Sequence, residues 1–451
     1  MTVWGAARAV TGSMHLVEAC GKRVLLDCGQ SRGTRNDTAN RAEFPFEPSG
    51  IDAVVLSHAH TDHCGFLPAL VRQGFDGPIY CTAATRELTE VMLIDSARIQ
   101  EERAMMAAAG GRAAVADHVP FSRADVYQTI DQCVPLNYGQ PHTIGGIQFQ
   151  LLDAGHLLGS AMVSLTLDAT PRPKTITYTG DLGRRSLPLH SPPEAIPPAD
   201  LLLTESTYGG RAHDTIERTT ELLLEIVRRT TERGGRVIVP AFSLGRTQLL
   251  LHVLQVALRN GQLDPVPIYV DSPLGTRIVD VYREFPDSLP VRNPQEFLGE
   301  PEIEYIETRE ESQTLAGGHG PAIIVASSGM LEAGRILHHL KHVIDDPRAS
   351  IVLVSFQAPF TLGARLKEKG PTIHFLNRAW NKWAEVYDLS GFSGHADRND
   401  FRELFGPLAG AVGKVRLVHG ESEQAEALAT QLRTQGFTDI ALAERGEPIP
   451  V

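Results

Sequence analysis

The segment His58-Ala59-His60-Thr61-Asp62-His63 concentrates side chains that bind metal ions. It follows a short apolar stretch, residues 53–56, that is typical of a β-strand. Three imidazoles and one carboxylate within six residues suit a divalent metal ion of intermediate softness, above all Zn²⁺. In a turn that leaves a strand, alternate side chains can reach two sides of one pocket. His58 and His60 could then bind one ion while Asp62 and His63 bind another. The competing interpretation, unrelated core or surface histidines, is disfavoured by this spacing.

Further candidate ligands lie downstream, each just after an apolar stretch. His156 lies in residues 153–160, Asp181 in Tyr178-Thr179-Gly180-Asp181, and His419 in residues 415–421. Taken singly, each is explained equally well as a turn aspartate or a histidine at the end of a strand. Together with the first segment, they supply the donors that two zinc ions with four to five ligands each would need.

These motifs resemble the metallo-β-lactamase superfamily, and the resemblance covers nearly the whole chain. The resemblance implies that a first zinc ion is bound by His58, His60 and His156. It implies that a second is bound by Asp62, His63 and His419, and that Asp181 is the bridging carboxylate. Asp27, in Leu25-Leu26-Asp27-Cys28-Gly29, matches the first motif of the superfamily, a carboxylate that orients one of the ligands.

Later motifs resemble one branch of the superfamily, the β-CASP nucleases that process RNA. Residues 203–209 are similar to motif A of this branch, residues 391–397 to motif B, and the segment around His419 to motif C. Four more stretches match in the same order, namely residues 5–13, 240–248, 271–274 and 327–335. The chain is most similar to short bacterial RNA-degrading members, which are related to the nuclease subunit of the eukaryotic mRNA 3′-end cleavage factor.

The pattern of elements predicts an α/β protein. Short apolar strands alternate with helical stretches up to about residue 200, and an amphipathic helix over residues 214–233 ends at Gly234-Gly235. Strands and helices then alternate as in a parallel sheet. The resemblance implies a metallo-β-lactamase αβ/βα sandwich with an inserted parallel α/β β-CASP domain. We expect the sandwich in residues 1–207 and 385–451, and the insertion in residues 208–384.

The implied activity is a zinc-dependent ribonuclease, an endonuclease, a 5′→3′ exonuclease or both, acting on single-stranded RNA. Two zinc ions about 3.5–4 Å apart lower the pKa of a shared water toward neutrality, so that it can attack phosphorus. His395 in motif B is the candidate for protonating the leaving oxygen or for clamping the phosphate. Glu205 in motif A is expected to orient His395 or another ring nitrogen, with a helix cap as the alternative. Asp62 and Asp181 complete the predicted catalytic set.

The insertion is expected to hold the RNA. The turn Ser327-Ser328-Gly329 lies between a predicted strand and a predicted helix, where backbone N–H groups can bind an anion. Arg246 and Arg335 could pair with phosphates or form ion pairs between the domains, and both interpretations stay open.

Three residues near motif B are also of interest. Ser393 is a further candidate for substrate binding. Trp380 and Trp383 could pack against the domain junction or stack on RNA bases.

Composition sets limits on the class of protein. The 451 residues suggest at least two domains, and 42% hydrophobic with 21% charged residues is normal for a globular protein. No apolar run reaches the roughly 20 residues of a membrane span, and the first residues lack the pattern of a secretion signal. Five cysteines without a CxxC pair indicate no disulfide framework. We therefore expect a cytoplasmic enzyme with no membrane partner.

The net charge of −12 disfavours non-specific binding to nucleic acid but does not exclude a nuclease, because bound metal ions supply positive charge locally. The alternatives are a DNA-directed β-CASP nuclease, a hydrolase of small molecules with the same fold, and a scaffold subunit with a degenerate site. The histidine at motif C, His419, favours RNA over DNA by resemblance. A homodimer is expected only because similar proteins often pair.

Overall fold

Short runs of β-branched residues and leucine form the strands, and glycine, proline and aspartate mark the turns between them. The computed structural model describes residues 1–31, 42–109, 119–291, 297–299, 301–358 and 360–451. The strands are β1 (Thr2–Val3), β2 (His15–Ala19), β3 (Lys22–Leu26), β4 (Ala53–Val55), β5 (Ile79–Cys81), β6 (Cys133–Pro135), β7 (His142–Ile144), β8 (Ile147–Asp153), β9 (Ala161–Leu167), β10 (Lys174–Tyr178), β11 (Leu201–Glu205), β12 (Arg236–Pro240), β13 (Ile268–Asp271), β14 (Ile303–Tyr305), β15 (Ala322–Ala326), β16 (Ser350–Leu353), β17 (Thr372–Phe375), β18 (Arg378–Asn381), β19 (Glu385–Asp388), β20 (Lys414–Val418) and β21 (Ile440–Leu442).

The helices are α1 (Thr61–Cys64), α2 (Leu67–Arg72), α3 (Ala83–Ala109), α4 (Arg123–Asp131), α5 (Ile216–Glu232), α6 (Arg246–Arg259), α7 (Pro273–Glu284), α8 (Arg309–Gly317), α9 (Ile336–Val343), α10 (Leu362–Lys367), α11 (Arg398–Phe405) and α12 (Ser422–Thr434). Single turns of 3₁₀ helix lie at Pro48–Gly50, Pro286–Ser288, Ser390–Phe392 and Gly406–Leu408. The chain divides into two compact units, the first comprising Met1–Arg185, His190–Ala212 and His395–Val451, and the second comprising Ser186–Leu189 and His213–Gly394.

The first unit is a sandwich of two sheets with helices on both outer faces. One sheet has the strand order β1-β2-β3-β4-β5-β6 and the other β21-β20-β11-β10-β9-β8-β7. Successive residues of β3 show why the strand is apolar on both faces. Val24 and Leu26 join the core between the sheets with Phe149 and Ile176, while Leu25 packs on the side of α2, α3 and α4. Helices α11 and α12 cover the outer face of the second sheet.

The second unit is built on one parallel sheet with the order β14-β13-β15-β12-β16-β19. Its first helix, α5, begins after the Thr215 side chain accepts a hydrogen bond from the backbone of Arg218, and the chain turns at Gly234 with φ of 76°. Apolar residues of β12, β15 and β16 pack against α9 and α10. The sandwich and the parallel sheet confirm the fold that the sequence predicts.

A separate hairpin, β17–β18, adds to the second unit. Its register places Phe375 opposite Arg378 and Ile373 opposite Trp380. Leu376 and Asn377 form the two-residue turn, with φ of 49° and 57°, as hairpins of this length require. Ile373 and Phe375 join the core of the unit, so the hairpin is anchored by its inward face.

Among the described residues, none of the helices combines the length and the apolar character that crossing a bilayer requires.

Candidate metal centre

The turn after β4 sets the positions of four polar side chains. The strand ends at Val55, and the chain then runs through His58 to His60, the residue that precedes helix α1. The helix holds Asp62 and His63 in its first turn. Gly29 allows this arrangement, because a Cβ atom at residue 29 would lie 1.7 Å from the carbonyl oxygen of Asp62. The metal-binding segment therefore packs directly on the backbone that follows β3.

A first group of donors comprises His58, His60, His156 and Asp181, whose ligand atoms all lie within 4.8 Å of one another. The Nε2 atom of His58 lies 3.1 Å from Nδ1 of His60, which in turn lies 3.3 Å from Nε2 of His156. The Asp181 Oδ2 atom lies 3.5 Å from His58 and 3.7 Å from His156. Four donors from three separate segments of the sequence thus converge on one point.

These separations fit the coordination of a metal ion. Zinc–nitrogen bonds of about 2.0–2.1 Å place two tetrahedral ligands about 3.3–3.4 Å apart. The two nitrogen–nitrogen distances, 3.1 and 3.3 Å, lie close to that edge length. Hydrogen bonds explain the group less well, because Nδ1 of His60 faces two imidazole nitrogens at once.

A second group comprises Asp62, His63 and His419. His419 Nε2 lies 3.3 Å from Asp62 Oδ2, and its Nδ1 lies 3.4 Å from Asp181 Oδ1. His63 Nε2 lies 3.3 Å from the same Asp181 oxygen. The hydroxyl of Thr207 lies 3.1 Å from His419 Nδ1. The backbone of His419 has φ of 45°, an uncommon conformation outside glycine that turns its ring after the end of β20.

Asp181 joins the two groups. Its side chain is buried, and one oxygen faces each group. Burial opposes its ionisation, but the imidazoles of His419, His63 and His58 hold the pKa of Asp181 well below its usual range. Its Oδ1 atom nevertheless accepts no hydrogen bond from any described residue. A buried anionic oxygen without a donor, surrounded by imidazole nitrogens, fits a position between two divalent cations.

The imidazoles of the first group are held neutral, which is the form that binds metals. Burial, with a smaller effect of His58, lowers the pKa of His60 to about 3. Burial, with a smaller effect of His395, lowers the pKa of His156 well below its usual value. Both rings therefore present unprotonated nitrogen at neutral pH.

Asp27 fixes the ring of His63 from behind. The carboxylate accepts hydrogen bonds from the Ser57 N–H and hydroxyl, both at 2.7 Å, and from the Tyr178 hydroxyl at 2.6 Å. It also lies 2.7 Å from His63 Nδ1. This contact leaves Nε2 of His63 directed at Asp181. Burial opposes protonation of His63, but Asp181 and Asp27 raise the pKa of the ring well above its usual value.

Motifs in the sequence did not indicate three partners of these residues. Ser57 and Tyr178 bind Asp27, and Thr207 contacts His419. Their positions offered a weak signal, since Ser57 directly precedes His58 and Tyr178 opens the segment that ends at Asp181.

Glu205 and His395 form a pair beside Asp181. Glu205 is the last residue of β11, and its Oε1 atom accepts a hydrogen bond from the backbone of Leu182 at 2.6 Å. The same oxygen lies 3.2 Å from Nδ1 of His395. That nitrogen lies 3.9 Å from Asp181, and the His395 ring centre lies 4.5 Å from that of His156. The pair therefore borders the donor groups.

Comparison with known proteins agrees with this geometry. Family models match residues 22–233 as a beta-lactamase superfamily domain, residues 247–366 as a Beta-Casp domain, and residues 383–443 as a Zn-dependent metallo-hydrolase RNA specificity domain. The chain is 39% identical over 457 residues to Ribonuclease TTHA0252 of Thermus thermophilus, covering 99% of both proteins. The chain belongs to the β-CASP branch of the metallo-β-lactamase superfamily. It is a metal-dependent hydrolase.

Two further proteins are similar to this chain. The chain is 31% identical over 448 residues to Transcription termination factor FttA of Methanocaldococcus jannaschii, covering 95% of this chain and 68% of that protein. A crystal structure of a protein of unknown function from Enterococcus faecalis aligns with 99% of this chain and 98% of its own, with a TM-score of 0.56 and 13% identity. The latter likeness shows a shared fold.

The residues predicted to bind substrate all belong to the second unit, which contains the matched Beta-Casp domain and is called the β-CASP unit below. The turn Ser327-Ser328-Gly329 follows β15, and the N–H of Ile336, the first residue of α9, donates to the carbonyl of Ser327 at 3.1 Å. The N–H of Ser328 already donates to the Ala333 carbonyl at 3.3 Å. The chain folds back over this turn, and its role toward an anion stays a prediction.

Arg335 forms an ion pair within its own unit, and its role toward a phosphate stays a prediction. Its guanidinium donates to Asp271 at 2.7 Å and to the carbonyls of Ile306 and Glu307, all within the β-CASP unit. Asp271 is buried and also contacts His339 and accepts from a serine hydroxyl. Arg335 therefore neutralises a buried carboxylate of its own unit, and this ion pair does not join two domains.

The other two candidates are Arg246 and Ser393. Arg246 is the first residue of α6, directly after Gly245, whose φ of 82° starts the helix. Ser393 is buried, and its N–H donates to the carbonyl of Ser390 at 3.0 Å. Their roles toward a substrate stay predictions.

Proposed function

We propose that this chain is a zinc-dependent ribonuclease that hydrolyses phosphodiester bonds of single-stranded RNA, as an endonuclease, a 5′→3′ exonuclease or both. The observation that carries the proposal is the pair of donor groups that share Asp181, with His395 and Glu205 beside them. The similarity to a ribonuclease of Thermus thermophilus and the match to an RNA specificity domain support RNA as the substrate. A cytoplasmic location and a homodimer stay predictions.

The donor chemistry supports zinc. Imidazole nitrogens with a few carboxylate oxygens are the ligands that Zn²⁺ prefers, whereas Mg²⁺ and Ca²⁺ prefer oxygen alone. In such a site, two bound zinc ions would supply an activated water and a positive charge for the phosphoryl oxygens. His58, His60 and His156 would hold one ion, His63 and His419 the other. Asp62 belongs to the second group and Asp181 to both.

We assign to His395 the proton of the leaving group. Its Nδ1 contact with Glu205 favours a ring in which Nδ1 carries a proton. When Nε2 also carries a proton, it can donate that proton to the leaving oxygen. Glu205 is a positioning residue in this scheme, because it acts through His395.

The first experiment is cleavage of one sequence prepared as single-stranded RNA and as single-stranded DNA, labelled at the 5′ or the 3′ end. We expect zinc-loaded protein to cut RNA, chelation to stop the reaction, and added zinc to restore it. The ladder of products separates internal cutting from trimming at the 5′ end. DNA cut as fast as RNA would favour the DNA-directed alternative.

Variants then test the proton step. We expect His395→Ala to lower kcat by about 10²–10⁴-fold, the usual loss for a general acid. Glu205→Gln should lower kcat less, because the His395 ring stays but loses the carboxylate that orients it. His338→Ala, at an exposed histidine of the β-CASP unit, is the matched control and should keep wild-type activity. Zinc-loaded protein that cuts no RNA would refute the proposed function.

A further inference from the structure

One part of the β-CASP unit, residues 361–383, has a charge opposite to that of the whole protein. It carries five cationic side chains and one carboxylate, whereas the chain as a whole has a net charge of −12. The cations are Arg365, Lys367, Lys369, Arg378 and Lys382, and the carboxylate is Glu368. Four of these cations are exposed, and Lys382 is partly buried. A protein with this overall charge needs such a local surface to hold a polyanion.

The hairpin β17–β18 presents one of these charges, that of Arg378, on a fixed frame. Trp380 stacks on Phe375 with ring centres 5.3 Å apart, and its indole N–H donates to the Phe375 carbonyl at 3.2 Å. The guanidinium carbon of Arg378 lies 4.1 Å from the Trp380 ring centre. Trp380 therefore packs within the unit, and Arg378 is ordered on top of it as an exposed cation.

Trp383, unlike Trp380, is exposed at the surface. Its side chain is 56% exposed, which is high for a residue that proteins usually bury. Its backbone is fixed, since the N–H groups of Trp383 and Ala384 donate to the carbonyl of Ile344 at 2.9 and 3.1 Å. The result is a large flat ring held at the surface by an ordered main chain.

The neighbouring cations are ordered without losing most of their charge. Arg365 donates to the carbonyl of His374, and Lys382 donates to the carbonyls of Leu366 and Glu368, all of which are neutral groups. Lys367 is the exception, because it forms an ion pair with Asp388. The surface thus keeps a positive excess.

We infer that this part of the β-CASP unit, residues 361–383, binds single-stranded RNA. One base stacks on Trp383, and the phosphates of other nucleotides of the strand contact exposed cations of the segment, among them Arg378 and Lys369. Stacking on an exposed aromatic ring beside cations holds single strands without reading their sequence. The inference rests on the proposed function and adds to it a second RNA contact, made by the β-CASP unit. Base-paired RNA should bind less well, because its bases are not free to stack.

The test measures the affinity of the full chain for a labelled 20-nucleotide oligouridine, with chelator present to prevent cleavage. We expect Trp383→Ala to weaken binding by about ten-fold, the typical effect of losing one stacked base, and Trp383→Phe to keep most of the affinity. Tyr127→Ala is the matched control, because Tyr127 is an aromatic residue of the first unit that is 53% exposed. The control should bind as the wild type does.

A second variant tests the charges. Lys369→Gln combined with Arg378→Gln should lower the slope of log affinity against log salt by about 1.4, since each phosphate contact with a single strand contributes about 0.7. Thermal unfolding of every variant checks that the fold is kept. Wild-type affinity in Trp383→Ala and an unchanged salt slope in the double variant would overturn the inference. Wild-type protein that binds RNA through this surface but cleaves none would refute the proposed function instead.

Discussion

The carboxylate of Asp27 offers a sharp test of how the metal centre is built. Asp27→Asn keeps the shape of the side chain but replaces one acceptor oxygen by an NH₂ donor. The least costly orientation places that NH₂ against the backbone N–H of Ser57, which then loses its acceptor. The remaining oxygen still accepts from the hydroxyls of Ser57 and Tyr178 and contacts His63.

These contacts give the expected loss in free energy of unfolding for Asp27→Asn. One buried donor without a partner costs about 1–3 kcal/mol, and weakening the charged contact with His63 costs about 1–2 kcal/mol more. We therefore expect Asp27→Asn to lower the free energy of unfolding of metal-free protein by about 2–5 kcal/mol. Tyr178→Phe removes a single hydrogen bond to the same carboxylate and should cost about 1 kcal/mol.

The same change should weaken metal binding. Without a carboxylate at Nδ1, the His63 ring is less basic and less well oriented, and loss of such a partner typically lowers metal affinity by about 10–100-fold. Urea unfolding of metal-free protein measures the first effect, and competition with a chromophoric zinc chelator measures the second. If the Asp27→Asn variant had the unfolding free energy and the zinc affinity of the wild type, the role assigned to Asp27 would be refuted.

Three other predictions address acid stability, a buried ion pair and metal removal. Burial lowers the pKa of His15 to about 3, so between pH 3 and 6.5 the folded state binds fewer protons than the unfolded state, and stability falls as pH drops. Between pH 7.5 and pH 5, urea unfolding should show that the wild type loses about 2 kcal/mol more free energy of unfolding than His15→Leu does. Equal losses would contradict this. Arg335→Ala leaves the buried Asp271 without its cation and should lower the free energy of unfolding by about 3 kcal/mol. Adding Asp271→Asn should recover part of this loss. A wild-type free energy of unfolding in the single variant would be inconsistent with the ion pair. Chelation should lower the temperature of calorimetric unfolding by several degrees and zinc should restore it, because a bound ion stabilises only the folded chain; an unchanged temperature would argue against a metal at this site.

Local patterns in the sequence are enough to predict much of this protein. The alternation of short apolar strands with helical stretches predicts the parallel sheet of the second unit, because strand and helix periodicities are local properties. The donor segment, residues 58–63, and the later residues His156, Asp181 and His419 are recognisable from residue type and position after strands. The structure brings these donors together as two groups.

The partners of those residues depend on pairings between distant segments. Tyr178 meets Asp27 across 151 positions, and His395 meets Glu205 across 190. Such contacts follow from which strands are neighbours and in what register, and local periodicity carries no information about either. The same reason applies to contacts within the β-CASP unit. There, the N–H of Ser328 donates to the carbonyl of Ala333. Arg335 forms its ion pair with the buried Asp271, which lies 64 positions earlier in the sequence. Residue types therefore determined the chemistry that this chain can perform, and only the tertiary structure decided which groups meet.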